Sequence, residues 1–229
     1  MGKLGELKSG HSISAQKKTE ILKLDLFDVE YIYQYSRQIL LDDTIKGLVT
    51  QPQLPENKVL RYLNGIIGYG KPGFDFPVLS KVSIAEMLSY MQNTLLRDTD
   101  QMSMAHALEV RVPFLDHNLI HYVLQIQDHL KTGVYPKNLL VEAYKNELPR
   151  EVYDREKMGF VLPYEQWMKH ELRAFCVQNL KALERHPDIK MKKVMELWQQ
   201  FEKNSRSVSW SRLWGLVVLG HKLEQWSYA

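Results

Sequence analysis

Leu95-Leu96-Arg97-Asp98-Thr99-Asp100-Gln101-Met102-Ser103-Met104-Ala105-His106-Ala107-Leu108-Glu109-Val110-Arg111-Val112-Pro113-Phe114-Leu115-Asp116-His117 interleaves charged and apolar side chains too closely for an ordinary core helix, and reads as the wall of a site. A helix is expected from Asp98 or Asp100 to about Leu108. Pro113 forbids its continuation, because the ring removes a backbone donor and pushes Val112 towards an extended conformation. On that extended segment Glu109 and Arg111 point the same way. Asp100 and Asp116 can each reach a guanidinium, and a buried ion network of Glu109, Arg111 and Asp116 would hold the pocket backbone still. Asp116 can also cap a following helix with Leu119, Ile120, Val123 and Leu124 on its buried face.

Upstream, residues 1 to about 20 are polar and Lys-rich and read as a loose start. Apolar and aromatic residues from Leu26 to Leu41 recur at helical spacing. Glycines and prolines between Gly65 and Pro77 imply a loop. Ser83-x-x-Glu86 has the form of a capping box, with Val82 and Met87 as its hydrophobic staple, so a helix is expected to begin there. Its stripe is Ile84, Met87, Leu88, Met91 and Leu95. Downstream, Pro136 is placed to open a helix with Leu139, Leu140, Ala143 and Tyr144 inward, and Pro149 to end it. Three further helices are expected at about 163–184, 190–203 (Val194, Trp198, Phe201 inward) and 207–226 (Leu213, Trp214, Val217, Val218 inward). No run of alternating strands is evident, so the chain reads as mainly α, with a loosely ordered segment at 1–24 and one helical domain at 25–229.

The 229 residues are 45% hydrophobic, enough for a sizeable core. A net charge of +3 with 25% charged residues gives no basic stripe, so neither nucleic acid nor a membrane surface is an expected partner. No apolar run is long enough to span a bilayer and the first residues lack a signal h-region. With one cysteine, Cys176, no internal disulfide can form; a cytoplasmic location is expected. Several patterns carry structure rather than chemistry. Gly68-x-Gly70-x-x-Gly73 contains Pro72, which excludes the helix a dinucleotide fingerprint must open. His117 and His121 lack a third metal ligand nearby. Cys176 and the tryptophans Trp210, Trp214 and Trp226 are read as core.

The opening stretch closely resembles the D-x-x-S-M-A-x-x-L-E-x-R-x-P-F-L-D signature of the asparagine synthase family. A second motif, Arg155-Glu156-Lys157-Met158-Gly159-Phe160-Val161-Leu162-Pro163 with Trp167 beyond it, resembles that family's R-x-K-x-G-F-x-x-P-x-x-x-W loop. The resemblance implies the helical C-terminal half of an adenine-nucleotide α-hydrolase-like (PP-loop ATPase) α/β synthetase domain. It makes Lys157 the catalytic cation, stabilising charge that builds up on an acyl-adenylate and departing pyrophosphate. Asp100, Glu109, Arg111, Asp116, Arg155 and Gly159 would line the substrate pocket, Gly159 turning the loop so that Lys157 points inward. Where the family often carries Arg or Lys after the aspartate, this chain has Gln101.

The family's S-G-G-x-D-S pyrophosphate loop and its second glycine-rich element do not occur here, and Gly2 stands where a glutaminase domain would place its nucleophilic cysteine. The resemblance therefore implies ATP and Mg²⁺ as cofactors of the family, with weak binding to this chain alone. It implies a partner that supplies the N-terminal synthetase and glutaminase part, and an apolar face that drives homo-oligomerisation. The expected function is the C-terminal part of a ligase that adenylates aspartate and aminates it with ammonia from glutamine. Two alternatives stand beside it: a non-catalytic binding module, and a relative that amidates or cyclises another carboxylate.

Overall fold

The computed structural model describes residues 13–51, 53–68, 76–156, 159, 162–204 and 208–226. Their α-helices are α1 (Ile13–Leu22), α2 (Val29–Arg37), α3 (Asp42–Leu48), α4 (Lys58–Leu63), α5 (Val78–Glu86), α6 (Arg97–Met104) and α7 (His117–Gln125). There follow α8 (Asp128–Lys131), α9 (Asn138–Tyr144), α10 (Arg150–Tyr153), α11 (Tyr164–Lys169), α12 (Arg173–Ala182), α13 (Met191–Glu202) and α14 (Trp210–Trp226). The only β pairing among the described residues is an isolated bridge between Val49 and Ile189. The mainly helical expectation holds. The segment expected to be loosely ordered carries α1.

The chain forms two compact units: residues 1–27, 35–56 and 161–229 in one, and 28–34 with 57–160 in the other. In the first, α12 presents Cys176 and Leu180, with Leu183 next in the 3₁₀ turn that follows it, α13 presents Val194, Trp198 and Phe201, and α14 presents Leu213, Leu216 and Val217. All are buried, and the 3.6-residue repeat that puts them on single faces is what makes these segments helices in this context. The α12 and α14 backbones meet at Gly220, where an added Cβ would lie 2.0 Å from the carbonyl oxygen of Asn179. Asn179 is itself buried, with its amide donating to Phe175 O at 2.8 Å. Trp210 and Trp214 pack against this core. Trp226, expected in it, is 71% exposed, nearly two turns beyond Gly220, the last buried position of α14. The helix expected at 163–184 is two, interrupted at His170 to Leu172, where Leu172 N donates to Trp167 O.

The second unit has a smaller core of Tyr33, Leu63, Ile67, Ile84 and Ala85. Here the expected capping box fails: α5 begins at Val78, just after Pro77, and Ser83 lies within it, its hydroxyl donating to Leu79 O at 2.8 Å. Its start is capped from a distance instead. Asp128 of α8 accepts the N–H of Leu79 at 2.9 Å, and the fully buried Ser80 donates to Leu124 O while accepting from Lys131 Nζ at 2.6 Å. Beyond Glu86 the helix runs unbroken through a π-helical stretch, Met87–Leu96, into α6. Side chains on that stretch collect its carbonyls: Ser89 Oγ donates to Ala85 O, and Asn93 Nδ2 to Ser89 O. Tyr33 OH and Ser89 Oγ, 2.7 Å apart, tie it to α2. A second π stretch, Asn64–Gly68, extends α4 into what was expected to be loop; Gly70, Pro72 and Gly73 lie outside the described residues. Pro136 does not open α9, which starts after Lys137 in the left-handed region (φ 60°); Val141 is its buried residue, and Ala143 and Tyr144 are exposed.

The helix contact at Gly220 makes a paired prediction. Gly220→Ala should destabilise the protein by about 3 kcal/mol or more, since its new methyl meets backbone that cannot swing aside. Gly215→Ala, with nothing within 4 Å of its Cβ position, should stabilise by about 0.5–1 kcal/mol through helix propensity. Urea denaturation of both variants checks this.

Candidate functional site

The motif quoted at the outset lies wholly in the second unit. Its helix, α6, ends at Met104 rather than Leu108. The N–H of Ala107 donates to Met104 O and that of Leu108 to Ser103 O, and Ala107 adopts φ 54°. This is a Schellman ending with alanine where glycine is usual. It throws the chain out of the helix into an irregular run, Leu108 to Val112, before the short 3₁₀ turn at Pro113–Leu115. On that run Glu109 and Arg111 do face the same way, with the Arg111 guanidinium against Glu109 Oε1.

The expected buried network is not formed. The Arg111 and Glu109 side chains are 86% and 70% exposed, and Asp100 and Asp116 are exposed too. The motif lies at the surface of its unit, where each charge keeps its hydration, so no pairing is needed to offset burial. Asp116 does its work locally: its carboxylate accepts the N–H groups of Asn118 and Leu119 and caps α7. The bond from Leu119, and secondarily that from Asn118, holds its carboxyl below the usual aspartate range. No face of α7 is fully buried, and Leu119 is 39% exposed.

In the second motif Arg155 and Gly159 are exposed, while Lys157 lies outside the described residues. Among the described residues no ion pair or hydrogen bond joins Arg155 or Gly159 to Asp100, Glu109, Arg111 or Asp116. Among the described site residues, only Glu109 and Arg111 are joined by an ion pair or hydrogen bond. The motif does expose apolar side chains: Met102, Met104, Leu108, Val110, Val112 and Phe114 are all more than 40% exposed. No three His, Cys, Asp or Glu side chains converge on a possible metal position among the described residues. His117 and His121 are exposed on α7, His121 meeting Gln125. Cys176 is buried in the first unit's core, and burial pushes its thiol pKa up, as for a packing residue. No helix of the described residues is long and apolar enough to cross a membrane.

Sequence reasoning missed Ala107 and the remote Asp128 cap. Neither has a local signature, since alanine is not a left-handed residue by preference and Asp128 acts 49 residues away from its partner.

Two expectations follow for the motif. Arg111→Ala should change stability by no more than about 0.5 kcal/mol, as for an exposed ion pair. Ala107→Gly should stabilise by about 1 kcal/mol, because glycine adopts the left-handed conformation without steric cost. Thermal melts of the two variants beside the parent check both.

Comparison with known proteins bears on what this motif serves. The family model for asparagine synthase matches residues 19–227. Over 125 residues the chain is 32% identical to asparagine synthetase (glutamine-hydrolyzing) 1 of Bacillus subtilis (strain 168), covering 54% of this chain and 20% of that protein. It is 41% identical over 75 residues to asparagine synthetase (glutamine-hydrolyzing) 3 of the same strain, covering 32% of this chain and 12% of the relative. Amidase chry2 of Gibberella zeae is 33% identical over 87 residues, covering 34% of this chain and 13% of that protein. The matches thus span about a fifth or less of the length of these curated relatives. No solved structure matches. With one family model running through both charged motifs, from residue 19 to 227, the chain belongs to the asparagine synthase family.

Proposed function

We propose that this chain supplies the helical, carboxylate-side wall of an ATP-dependent amide ligase of the asparagine synthase type. In this reading aspartate is adenylated and then aminated by ammonia from glutamine. The observation that carries it is the placement of both family motifs inside the matched segment, with the first displayed on the surface of its unit, where another element can close over it. Lys157 would stabilise the charge on the leaving pyrophosphate, and Arg155 and Gly159 would set its loop. Asp100, Glu109 and Arg111 would line the acceptor side, and Asp116 would hold the start of α7. The described residues do not themselves fit ATP and Mg²⁺: they gather no carboxylate cluster and carry no glycine-rich phosphate loop. The nucleotide is therefore proposed to be held by a separate part or partner.

A second reading is favoured by the similarity to Amidase chry2. The same wall would then serve a carboxylate or amide other than that of aspartate.

Aspartate-dependent exchange of labelled pyrophosphate into ATP tests the first reading. The purified chain should give none alone and should give exchange when mixed with the N-terminal part of the Bacillus subtilis relative. Lys157→Ala should lower that exchange on the order of 100-fold. Exchange that is absent with aspartate but present with another carboxylic acid would favour the second reading, and exchange undiminished in Lys157→Ala would remove the lysine from its assigned role.

A further inference from the structure

Among the described residues, one corner of the first unit gathers Lys17, Arg37 and Arg212, three cations that neither the family match nor the ligase reading uses. It is built where α1, the end of α2 and the start of α14 meet. Arg212 lies deepest, only 4% exposed, in the first turn of α14. Its Nη2 donates to Gln16 Oε1 at 2.9 Å, a contact between residues 196 positions apart. Lys17, half-buried beside Gln16, donates from Nζ to Ser36 O at 3.3 Å, which sets it next to the exposed Arg37. Positive charge is unfavourable at this corner. Taking a guanidinium out of water carries a desolvation penalty that Gln16 does not offset, since the amide offers an acceptor but no charge. The N-terminal end of a helix is itself positive, and the first turn of the 17-residue α14 holds no acidic residue. Burial first, and then the charges of Arg212 and Arg37, lower the Lys17 pKa from its ordinary value, so the three cations act on one another.

We infer that this corner is a binding site for a phosphate group, separate from the wall formed by the charged motif of the second unit. Phosphate fits better than carboxylate. A carboxylate presents two oxygens in one plane and is satisfied by a single guanidinium fork, whereas a phosphate dianion presents several charged oxygens in different directions. Here the cations arrive from three separate elements. Arg37 and Lys17 are the groups a ligand reaches first, and Arg212 adds its charge from behind them, held in place by Gln16. An anion in contact with all three elements cross-links parts of the first unit that are distant in sequence. Its binding therefore stabilises the folded chain.

The test titrates inorganic phosphate and phenyl phosphate against the whole chain at constant ionic strength set with sodium chloride, read by calorimetry and by melting temperature. Saturable binding is expected, with a rise in melting temperature that chloride does not give. The tighter of the two ligands tells whether the group is taken free or as an ester. Lys17→Gln and Arg37→Gln should each weaken binding about tenfold or more, as for loss of one charged hydrogen-bond donor. Both side chains reach solvent, so these variants should fold. Lys181→Gln, at an exposed position of α12 outside the corner, should leave affinity within about twofold of the parent. Gln16→Glu is the decisive variant: a carboxylate in place of the amide neutralises Arg212 from within, so the chain should melt higher than the parent and lose its response to phosphate. The inference is overturned if phosphate acts no differently from chloride, or if Lys17→Gln and Arg37→Gln bind as the parent does. It is overturned equally if Gln16→Glu melts higher and still binds phosphate, or if binding is lost in Lys157→Ala and kept in Lys17→Gln, which would place the anion at the second motif. None of these readouts depends on pyrophosphate exchange, so the ligase reading and this site stand or fall separately.

Discussion

Two backbone hydrogen bonds, from Ala107 to Met104 and from Leu108 to Ser103, determine how the family motif is displayed. Without them α6 would continue or fray, and Glu109 and Arg111 would lie about 200° apart around a helix axis instead of meeting in an ion pair. Closing a helix this way satisfies carbonyls that would otherwise be orphaned at its end. The cost is a left-handed alanine, and the return is a sharp exit that leaves the Glu109–Arg111 pair exposed at the surface of the unit. Pro113 then fixes the far end of the run by excluding a helical conformation at Val112.

The support behind this display comes from the long helix of the second unit. α5 is anchored at its start by a carboxylate from α8 and by the Ser80–Lys131 contact, and its middle is tied to α2 through Tyr33 and Ser89. Glu30, itself buried, lies 4.0 Å from Lys81 on the same helix. In the first unit three helices close over a continuous core dominated by Trp198, Phe201 and the leucines of α12 and α14.

What could be read from the residues divides along a physical line. Periodic faces were legible where burial is deep: Val194, Trp198 and Phe201 all fall inward on α13, and Cys176 is core. Local caps were legible when the capping residue is adjacent, as Asp116 is to α7. The Ser83–Glu86 pattern misled because a capping box works only at a helix start, and a proline six residues earlier had already begun the helix. The burial assigned to Glu109 and Arg111 also failed, because charge alternating with valine signals a strand-like segment with two unlike faces and does not say which is covered. Family likeness supplied candidate roles for these positions, but their exposure comes from tertiary context that no short motif encodes.

The π-helical stretch from Met87 to Leu96 carries a consequence for how sequences of this family line up. A π turn holds an extra residue within a helix that otherwise keeps its direction. Relatives that lack it would be one residue shorter there while keeping α5 and α6 intact, and an ungapped comparison would set every position of α6 out of step. Because each α-helical residue advances by about 100°, that single residue turns Asp98 and Asp100 together by about 100° around the helix axis. A length difference between homologues inside this helix is therefore a change in the azimuth of the acidic residues, and belongs with substitutions at the site rather than with neutral loop variation.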